Sequence, residues 1–222
     1  MFFDFLAGPA RAAQRLTILG DLFDAWAGDD DLDDAFNARI VTALRALAEA
    51  GVALAFMAGN RDFLIGPPFA AAAGLTLLPD PTVREVAGVR TLLTHGDLLC
   101  TDDLAYQRFR AQVRDAQWRA RFLARPLAER KREIAALRME SEREKSRKPA
   151  EIMDVNAAAV AAAFAEHDAD ALIHGHTHRQ GRHAHRIDGK TCLRWTLGDW
   201  RPGRGNALVC EPAGWHWLEL PG

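Results

Sequence analysis

Four apolar stretches of the chain each end in a glycine beside a polar side chain. In an α/β sheet, ligands bind beyond the carboxyl ends of the strands, so convergence of these ends would gather a carboxylate, an amide oxygen and several imidazoles. Glycine beside each ligand lets the backbone turn sharply and approach closely. The four ends are Gly20-Asp21, Gly59-Asn60, His95-Gly96 and His174-Gly175-His176-Thr177-His178.

The donor set of these ends contains oxygen and nitrogen but no thiolate, which suits divalent ions such as Mn, Fe or Zn. The carboxylate of Asp21 has two oxygens and can bridge two ions about 3.5–4 Å apart, a pair that clamps a phosphoryl group and lowers the pKa of a bridging water toward about 7. Each end alone has an ordinary explanation as a turn, a cap or a satisfied polar residue. The four together indicate a metal centre, with His174 supporting its loop rather than binding metal.

Hydrophobic patterns predict the elements that position these residues. Strands alternate with helices, a helical insert follows, and the chain ends in a β-rich tail, which predicts an α/β sandwich of two facing sheets. Strands are predicted at 15–19, 52–58, 83–86, 89–94, 171–173, 182–187, 191–197, 207–211 and 215–220, and helices at 33–50, 67–73 and 152–167.

The insert, residues 103–148, is helical and strongly basic. Its residues 119–148 hold eleven Lys or Arg against five Glu, a local net charge of +6, with Trp118, Phe122, Leu123 and Leu127 among the charges. This composition suits a lid over acyl chains and an anionic membrane surface. The alternative is a solvated helix pair whose apolar face packs on the core. We expect one domain, residues 1–222, with a lid insertion at about 103–150.

Composition limits the class of protein. The chain has 222 residues, a formal net charge of −2 and 49% hydrophobic residues, which excludes a disordered or collagen-like chain and argues against coating nucleic acid over the whole surface. Cys100, Cys192 and Cys210 are expected to be small buried residues in a reducing cytoplasm. No apolar run reaches the roughly 18–20 residues needed to span a bilayer. The first residues, which include Asp4 and no basic region, do not read as a signal peptide.

The polar ends carry a resemblance. Gly20-Asp21-Leu22-Phe23-Asp24, Gly59-Asn60-Arg61-Asp62, His95-Gly96-Asp97 and Gly175-His176-Thr177-His178 resemble the motifs of calcineurin-like metallophosphoesterases. The strings GDLFDAWAGDDD, GNRDFLIG, THGDLLCTDD, IMDVN and LIHGHTHR are similar to those of the UDP-2,3-diacylglucosamine pyrophosphatases of lipid A biosynthesis, in consistent order over nearly the whole chain. The resemblance implies an αββα sandwich of two facing sheets with a helical cap insertion.

The resemblance also implies an activity and a setting. The family uses two Mn²⁺ ions to hydrolyse UDP-2,3-diacylglucosamine to UMP and 2,3-diacylglucosamine 1-phosphate (lipid X). It works in the cytoplasm, peripherally on the inner face of the bacterial inner membrane. The implied partners are the UDP-linked diacylated substrate and the anionic membrane surface, with no nucleic acid and no protein partner.

Residue roles follow from the same resemblance. Asp21 would bridge both metals, and Arg61, which replaces the His found in most of the superfamily, would hold the diphosphate with Asn60. An arginine can fork two phosphate oxygens and stays charged, so it suits electrostatic stabilisation. The implied metal ligands are Asp21, Asn60, His95, His176 and His178; the substrate-binding residues are Asn60, Arg61, Asp103, Tyr106, Ser141, Lys145, Lys148 and His176; the catalytic residues are Asp21, Arg61 and His176.

One departure concerns the Asp-x-His strand with which the superfamily pattern opens. Residues 1–15 offer Asp4 but no His, and Phe2–Leu6 looks like the helix that follows that strand. The first metal site then keeps only Asp21 and His178. A start codon assigned too late, a truncated chain and a decayed homologue are the three explanations. We expect the chain as printed to have little hydrolase activity and to fold poorly.

Three other functions stay open. The same metal centre could act on a soluble nucleotide or phosphoester, in which case activity would not depend on the insert. A non-catalytic metal-binding scaffold, attached to the membrane through its basic helices, would fit the absent Asp-x-His. Nucleic-acid binding is the weakest of the three, because Glu residues interrupt the basic patch and no array of aromatic residues for base stacking is present.

Overall fold

The computed structural model describes residues 1–145 and 152–221, and in those ranges the chain forms three sheets and seven α-helices. The strands are β1 (Arg15–Ile18), β2 (Ala53–Met57), β3 (Leu75–Leu78), β4 (Thr82–Val86), β5 (Val89–Thr94), β6 (Ala171–His174), β7 (Gly181–Ile187), β8 (Lys190–Thr196), β9 (Arg204–Glu211) and β10 (Gly214–Pro221). The helices are α1 (Phe2–Ala7), α2 (Ala35–Glu49), α3 (Pro67–Ala73), α4 (Leu104–Arg114), α5 (Ala116–Leu123), α6 (Leu127–Lys145) and α7 (Ala157–His167).

The strands that carry the polar ends pair with each other in parallel, β1 with β2 and β5 with β6. In the first sheet the order is β1-β2-β3, and in the five-stranded sheet it is β4-β5-β6-β8-β7. Ile18 pairs with Phe56 at the ends of β1 and β2, and Thr94 pairs with His174 at the ends of β5 and β6. The carboxyl ends of each pair therefore lie at the same level of their sheet.

The two sheets face each other across an apolar layer. Leu19 and Met57, at the ends of β1 and β2, cluster with residues of β5, β6 and β8, among them Leu93, Ile173 and Trp195. Helices α1–α3 pack on the outside of the first sheet, and α7 packs on the outside of the five-stranded sheet. The predicted layer order of helix, sheet, sheet and helix is confirmed. The β9-β10 hairpin forms a third, two-stranded sheet.

One predicted element needs correction, and one observed element was not predicted. The helix predicted at 152–167 begins only at Ala157, because Asn156 caps it: its side-chain oxygen accepts the N–H groups of Ala158 and Ala159. Strand β3 was not predicted, because its four residues follow a helix directly and are too short to show a period. It forms because Gly74 ends α3 in the left-handed conformation and turns the chain back beside β2.

The lid segment, α4–α6, packs its apolar residues on the body. Phe122 is buried, and its ring stacks on that of Trp118 with centroids 4.8 Å apart. Arg130 is 2% exposed and donates to the backbone oxygens of Ala27 and Arg125 and to the Asp30 carboxylate. The alternative in which the apolar face of the insert packs on the core is thus observed.

No helix within residues 1–145 and 152–221 is long and apolar enough to cross a membrane. All three cysteines are free thiols. Cys100 and Cys192 are buried, as predicted, whereas Cys210 is only half-buried.

Strand β6 carries His176 at its end, and its Leu172 is fully buried. We expect Leu172→Ala to lower the free energy of unfolding by about 2–5 kcal/mol, because it leaves a cavity between β6 and α7. The matched change Leu104→Ala, at a residue that is 66% exposed, should stay within about 0.5 kcal/mol. Urea unfolding of the two variants measures the difference, and equal losses would contradict this account of the core.

Candidate metal centre

The four polar ends meet at one edge of the sandwich, between the two sheets. Asn60 Oδ1 lies 3.0 Å from His95 Nε2 and 2.9 Å from His176 Nδ1. Asp21 Oδ1 lies 3.8 Å from His95 Nε2. Asp21 and Asn60 follow strands of one sheet, and His95 and His176 follow strands of the other, so the centre joins the two sheets.

Strained backbone accompanies these ligands. Asp21, His176 and His178 all have positive φ angles, of 55°, 62° and 59°. Residues other than glycine rarely adopt this backbone conformation, which costs about 1–3 kcal/mol at each position. Such strain persists only where surrounding contacts hold it, and it clusters at functional sites.

The tautomer of His95 makes its ring a suitable ligand for a cation. The ring is 1% exposed, and its Nδ1 donates to the backbone oxygen of Leu19 at 2.7 Å. The lone pair of a neutral ring is then on Nε2, which accepts the N–H of Asn60 and also faces the Asn60 amide oxygen. Two acceptors can approach to 3.0 Å only with a proton or a metal ion nearby. The donor set of oxygen and imidazole nitrogen therefore fits Mn²⁺ or a similar ion.

The electrostatic surroundings favour positive charge at this point. Burial alone would lower the pKa of His95, but the carboxylates of Asp21, Asp97 and Asp80 and the Leu19 carbonyl together raise it. Among the described residues, no three His, Cys, Asp or Glu side chains form a ligand group by themselves. The amide oxygen of Asn60 supplies the atom shared by the two imidazoles.

Asp62 holds the loop that carries Asp21, a role that the sequence analysis missed although Asp62 stands in the GNRD string. Its carboxylate is fully buried and accepts the backbone N–H groups of Asp21, Leu22, Phe23 and Gly59. Burial of the carboxyl and the charge of Asp21 raise the pKa of Asp62 to about 6, against the opposing effect of these donors. These four hydrogen bonds to one carboxylate hold the backbone of Asp21 in its positive-φ conformation.

Arg61 lies beside the ligand cluster, as the resemblance implied. Its Nε is 3.5 Å from Asp21 Oδ2, a terminal nitrogen is 2.6 Å from Asp24 Oδ1, and its backbone N–H donates to Asp21 Oδ1 at 3.0 Å. The guanidinium is thus oriented by two carboxylates at the entrance of the centre. Trp26, in the same loop, is 1% exposed and packs on Phe23, as expected.

Tyr106 reaches the centre from α4. Its hydroxyl donates to Asp97 Oδ2 at 2.6 Å, and its ring centroid lies 5.6 Å from that of His176. Burial and the Asp97 charge raise the pKa of Tyr106 far above its usual range, so the phenol keeps its proton. Burial would raise the pKa of Asp97, but the charges of His95, Arg110 and Arg114 hold it well below its usual value.

The other residues that the resemblance implied as substrate contacts lie in different settings. Asp103 is buried and caps α4 by accepting the N–H of Tyr106. Ser141 is half-buried on α6, whose last residue is Lys145, and Lys148 lies outside the described residues. Their roles toward substrate stay predictions.

The other two histidines of the 174–178 segment, His174 and His178, differ in setting. His178 lies close enough to Asp199 to help lower the pKa of that carboxyl, although burial opposes the shift and Arg201 contributes more to it. His174 is 0% exposed, and its Nε2 lies 3.0 Å from both the Thr196 hydroxyl and an Arg194 nitrogen. Its Nδ1 lies 3.0 Å from the backbone oxygen of Gly175, so both ring nitrogens are engaged within the protein and His174 contacts the loop, in agreement with its predicted supporting role.

Comparison with known proteins gives consistent results. Residues 2–180 match the model of the calcineurin-like phosphoesterase family. A protein of Aromatoleum aromaticum named UDP-2,3-diacylglucosamine hydrolase is 55% identical over 90% of this chain and 81% of its own length. Proteins of the same name from Chromohalobacter salexigens and Stenotrophomonas maltophilia are 50% and 46% identical, over 92% and 97% of this chain and 82% and 89% of theirs.

Gly20 gives a direct test of the close approach at the centre. It has a φ of +84°, and an added Cβ would lie 2.5 Å from the Gly59 backbone and from His95 Nδ1. Gly88 has a φ of +80° with open space around it. We expect Gly88→Ala to cost about 1–2 kcal/mol from backbone strain alone, and Gly20→Ala to cost about 1–3 kcal/mol more from overpacking.

Because the added methyl separates the strand ends, Gly20→Ala should also weaken Mn²⁺ binding at least about tenfold, whereas Gly88→Ala should not. Thermal unfolding and Mn²⁺ titration measure the two effects. Equal behaviour of the two variants would show that the ends do not depend on this contact.

Proposed function

Since the chain belongs to the calcineurin-like phosphoesterases and, within them, to the group of its UDP-2,3-diacylglucosamine hydrolase relatives, we propose that it hydrolyses UDP-2,3-diacylglucosamine. Water adds to the α-phosphorus, the bond from that phosphorus to the bridging oxygen breaks, and UMP and 2,3-diacylglucosamine 1-phosphate leave. The observation that carries the proposal is Arg61, a fixed cation beside the cluster of Asp21, Asn60, His95 and His176.

We assign Asp21, Asn60, His95 and His176 as ligands of one Mn²⁺ ion, and Asp21 with His178 as ligands of another. Bound ions of this kind polarise phosphoryl oxygens and provide a nucleophilic water at neutral pH. The tautomer of His95, fixed by Leu19, supports its assignment because it presents the Nε2 lone pair.

Arg61 would bind two oxygens of the diphosphate with Asn60 and stabilise the charge that develops on them. Its pairing with Asp24, which is exposed, leaves the guanidinium oriented before substrate arrives. Tyr106 keeps its proton and so can orient substrate as a neutral group but cannot accept a proton from it. We assign Asp103, Ser141, Lys145 and Lys148 to the glucosamine and its phosphate.

The experiment compares UDP-2,3-diacylglucosamine with UDP-N-acetylglucosamine, a soluble analogue with the same diphosphate, at saturating Mn²⁺. We expect the acylated substrate to react at least about a hundredfold faster in kcat/KM, because the acyl chains contribute binding energy under the lid. The ratio of the two kcat/KM values is the readout. Comparable rates would favour the soluble-nucleotide alternative.

In the same assay, Arg61→Met should lower kcat roughly 10²–10³-fold, since it removes a charge aimed at the diphosphate. Arg61→Lys should recover only part of that loss, because an ammonium cannot fork two oxygens. Arg84→Met, at an exposed position on β4, is the matched control and should leave the rate unchanged.

We further propose that the chain binds peripherally to the inner face of the bacterial cytoplasmic membrane. Arg121 and Leu123 are both exposed on α5, so this helix presents a cation and an apolar side chain to solvent. Vesicles containing phosphatidylglycerol should retain the chain on sedimentation at low salt, and vesicles of phosphatidylcholine alone should not. Arg121→Gln should weaken that binding and Arg84→Gln should not. Equal binding to both vesicles would contradict the proposal.

A further inference from the structure

One face of α4 reaches beneath the candidate metal centre. Tyr106, Arg110 and Arg114 are spaced four residues apart, so their side chains share one face of the helix. Tyr106 and Arg110 both contact Asp97, two residues after His95. Arg114 contacts the backbone just before Asn60. The family resemblance gave Tyr106 a substrate role and gave the two arginines none.

Arg114 holds the end of β2. A terminal nitrogen of its guanidinium donates to the backbone oxygens of Ala58 at 3.0 Å and Gly59 at 3.3 Å. These are the two residues before Asn60, whose side-chain oxygen is shared by the two imidazoles. The same nitrogen lies 3.8 Å from Asp97 Oδ2.

Arg110 holds the end of β5 through two carboxylates. It lies 3.1 Å from Asp80 Oδ2 and 3.0 Å from Asp97 Oδ2. The other oxygen of Asp80 accepts the Thr94 hydroxyl at 2.6 Å and the backbone N–H of His95 at 3.2 Å. A chain of contacts therefore runs from α4 to the peptide group of His95.

The two strand ends need such a link because β2 and β5 belong to different sheets. Backbone hydrogen bonds fix spacing within a sheet but not between the sheets. The side chains of Asp80 and Asp97 are 3% and 0% exposed, and the two arginines balance their charges. Removal of Arg110 leaves the buried Asp80 carboxylate without its cation, and removal of Arg114 takes away the donor to the carbonyls of Ala58 and Gly59, so each change frees one strand end.

We propose that Arg110 and Arg114 are positioning residues of the metal centre: from one helix of the lid they set the distance between the Asn60 and His95 ends. The proposal rests on the proposed function for the identity of the metal ion. The lid and the metal centre are then one energetic unit rather than separate parts.

The test uses the full chain with Arg110→Met, Arg114→Met and the control Arg108→Met, which removes an exposed arginine of the same helix. Hydrogen exchange of metal-free protein should become at least about tenfold faster around His95 for Arg110→Met and around 59–61 for Arg114→Met. Mn²⁺ affinity, followed by the electron paramagnetic resonance of the free ion, should fall roughly 10–100-fold in both. Arg108→Met should change neither quantity.

Arg114→Lys distinguishes positioning from general stabilisation, because one ammonium can still donate to the carbonyls of residues 58 and 59. It should restore Mn²⁺ affinity to within about threefold of that of the unsubstituted chain. We expect this variant to fold, so the test stays valid if a Met variant unfolds. Arg110→Lys has no such rescue, because a single ammonium cannot reproduce the fork between Asp80 and Asp97.

Unchanged exchange at both strand ends would overturn the proposal, whatever the metal affinity. Faster exchange or a lower melting temperature with unchanged Mn²⁺ affinity would also overturn it, since the arginines would then only stabilise the fold. If the unsubstituted chain binds no Mn²⁺, the proposed function fails, and the exchange measurement still decides whether α4 holds the two ends.

Discussion

Side-chain atoms that bear lone pairs lie close together at the ends of strands from two sheets. They cannot all donate hydrogen bonds to one another. The amide oxygen of Asn60 contacts rings of both His95 and His176, and the carboxylate of Asp21 lies close by. At His95, whose Nδ1 proton faces the Leu19 carbonyl, the 3.0 Å contact requires a proton or a metal ion between Nε2 and the Asn60 oxygen, so the surrounding structure must hold these groups at that distance. Buried contacts around the centre hold these groups in position.

Those contacts hold both the backbone of the loops and the ring of one candidate ligand. Asp62 gathers four amide groups around the Asp21 loop, and the Leu19 carbonyl fixes the proton of His95. Glycine at position 20 allows the loop after β1 to approach the loop after β2 to within van der Waals contact. The strain at Asp21 and His176 is sustained because each loop is bonded on several sides.

Charge complementarity joins the lid segment to the body. Lys131 Nζ lies 2.7 Å from Asp31 Oδ1, and the buried Arg130 pairs with Asp30 in the same acidic loop. Part of the positive charge counted over residues 119–148 is therefore neutralised within the molecule. A count of charges along the sequence overstates the charge that is free to meet an anionic surface, because it cannot show which residues are paired.

The strands that end in polar residues, the layer order and the family could all be predicted from the sequence, since hydrophobic periods and short motifs are local properties of the chain. The sequence also led to the prediction that Arg61 binds the diphosphate. It did not identify Asp62, Asp80, Arg110 or Arg114 as supports of the ligands, although Asp62 stands within a recognised motif. Their contacts became visible only in the fold, because a buried ion network depends on which side chains come together from distant parts of the chain, and a local sequence pattern carries no information on that distance.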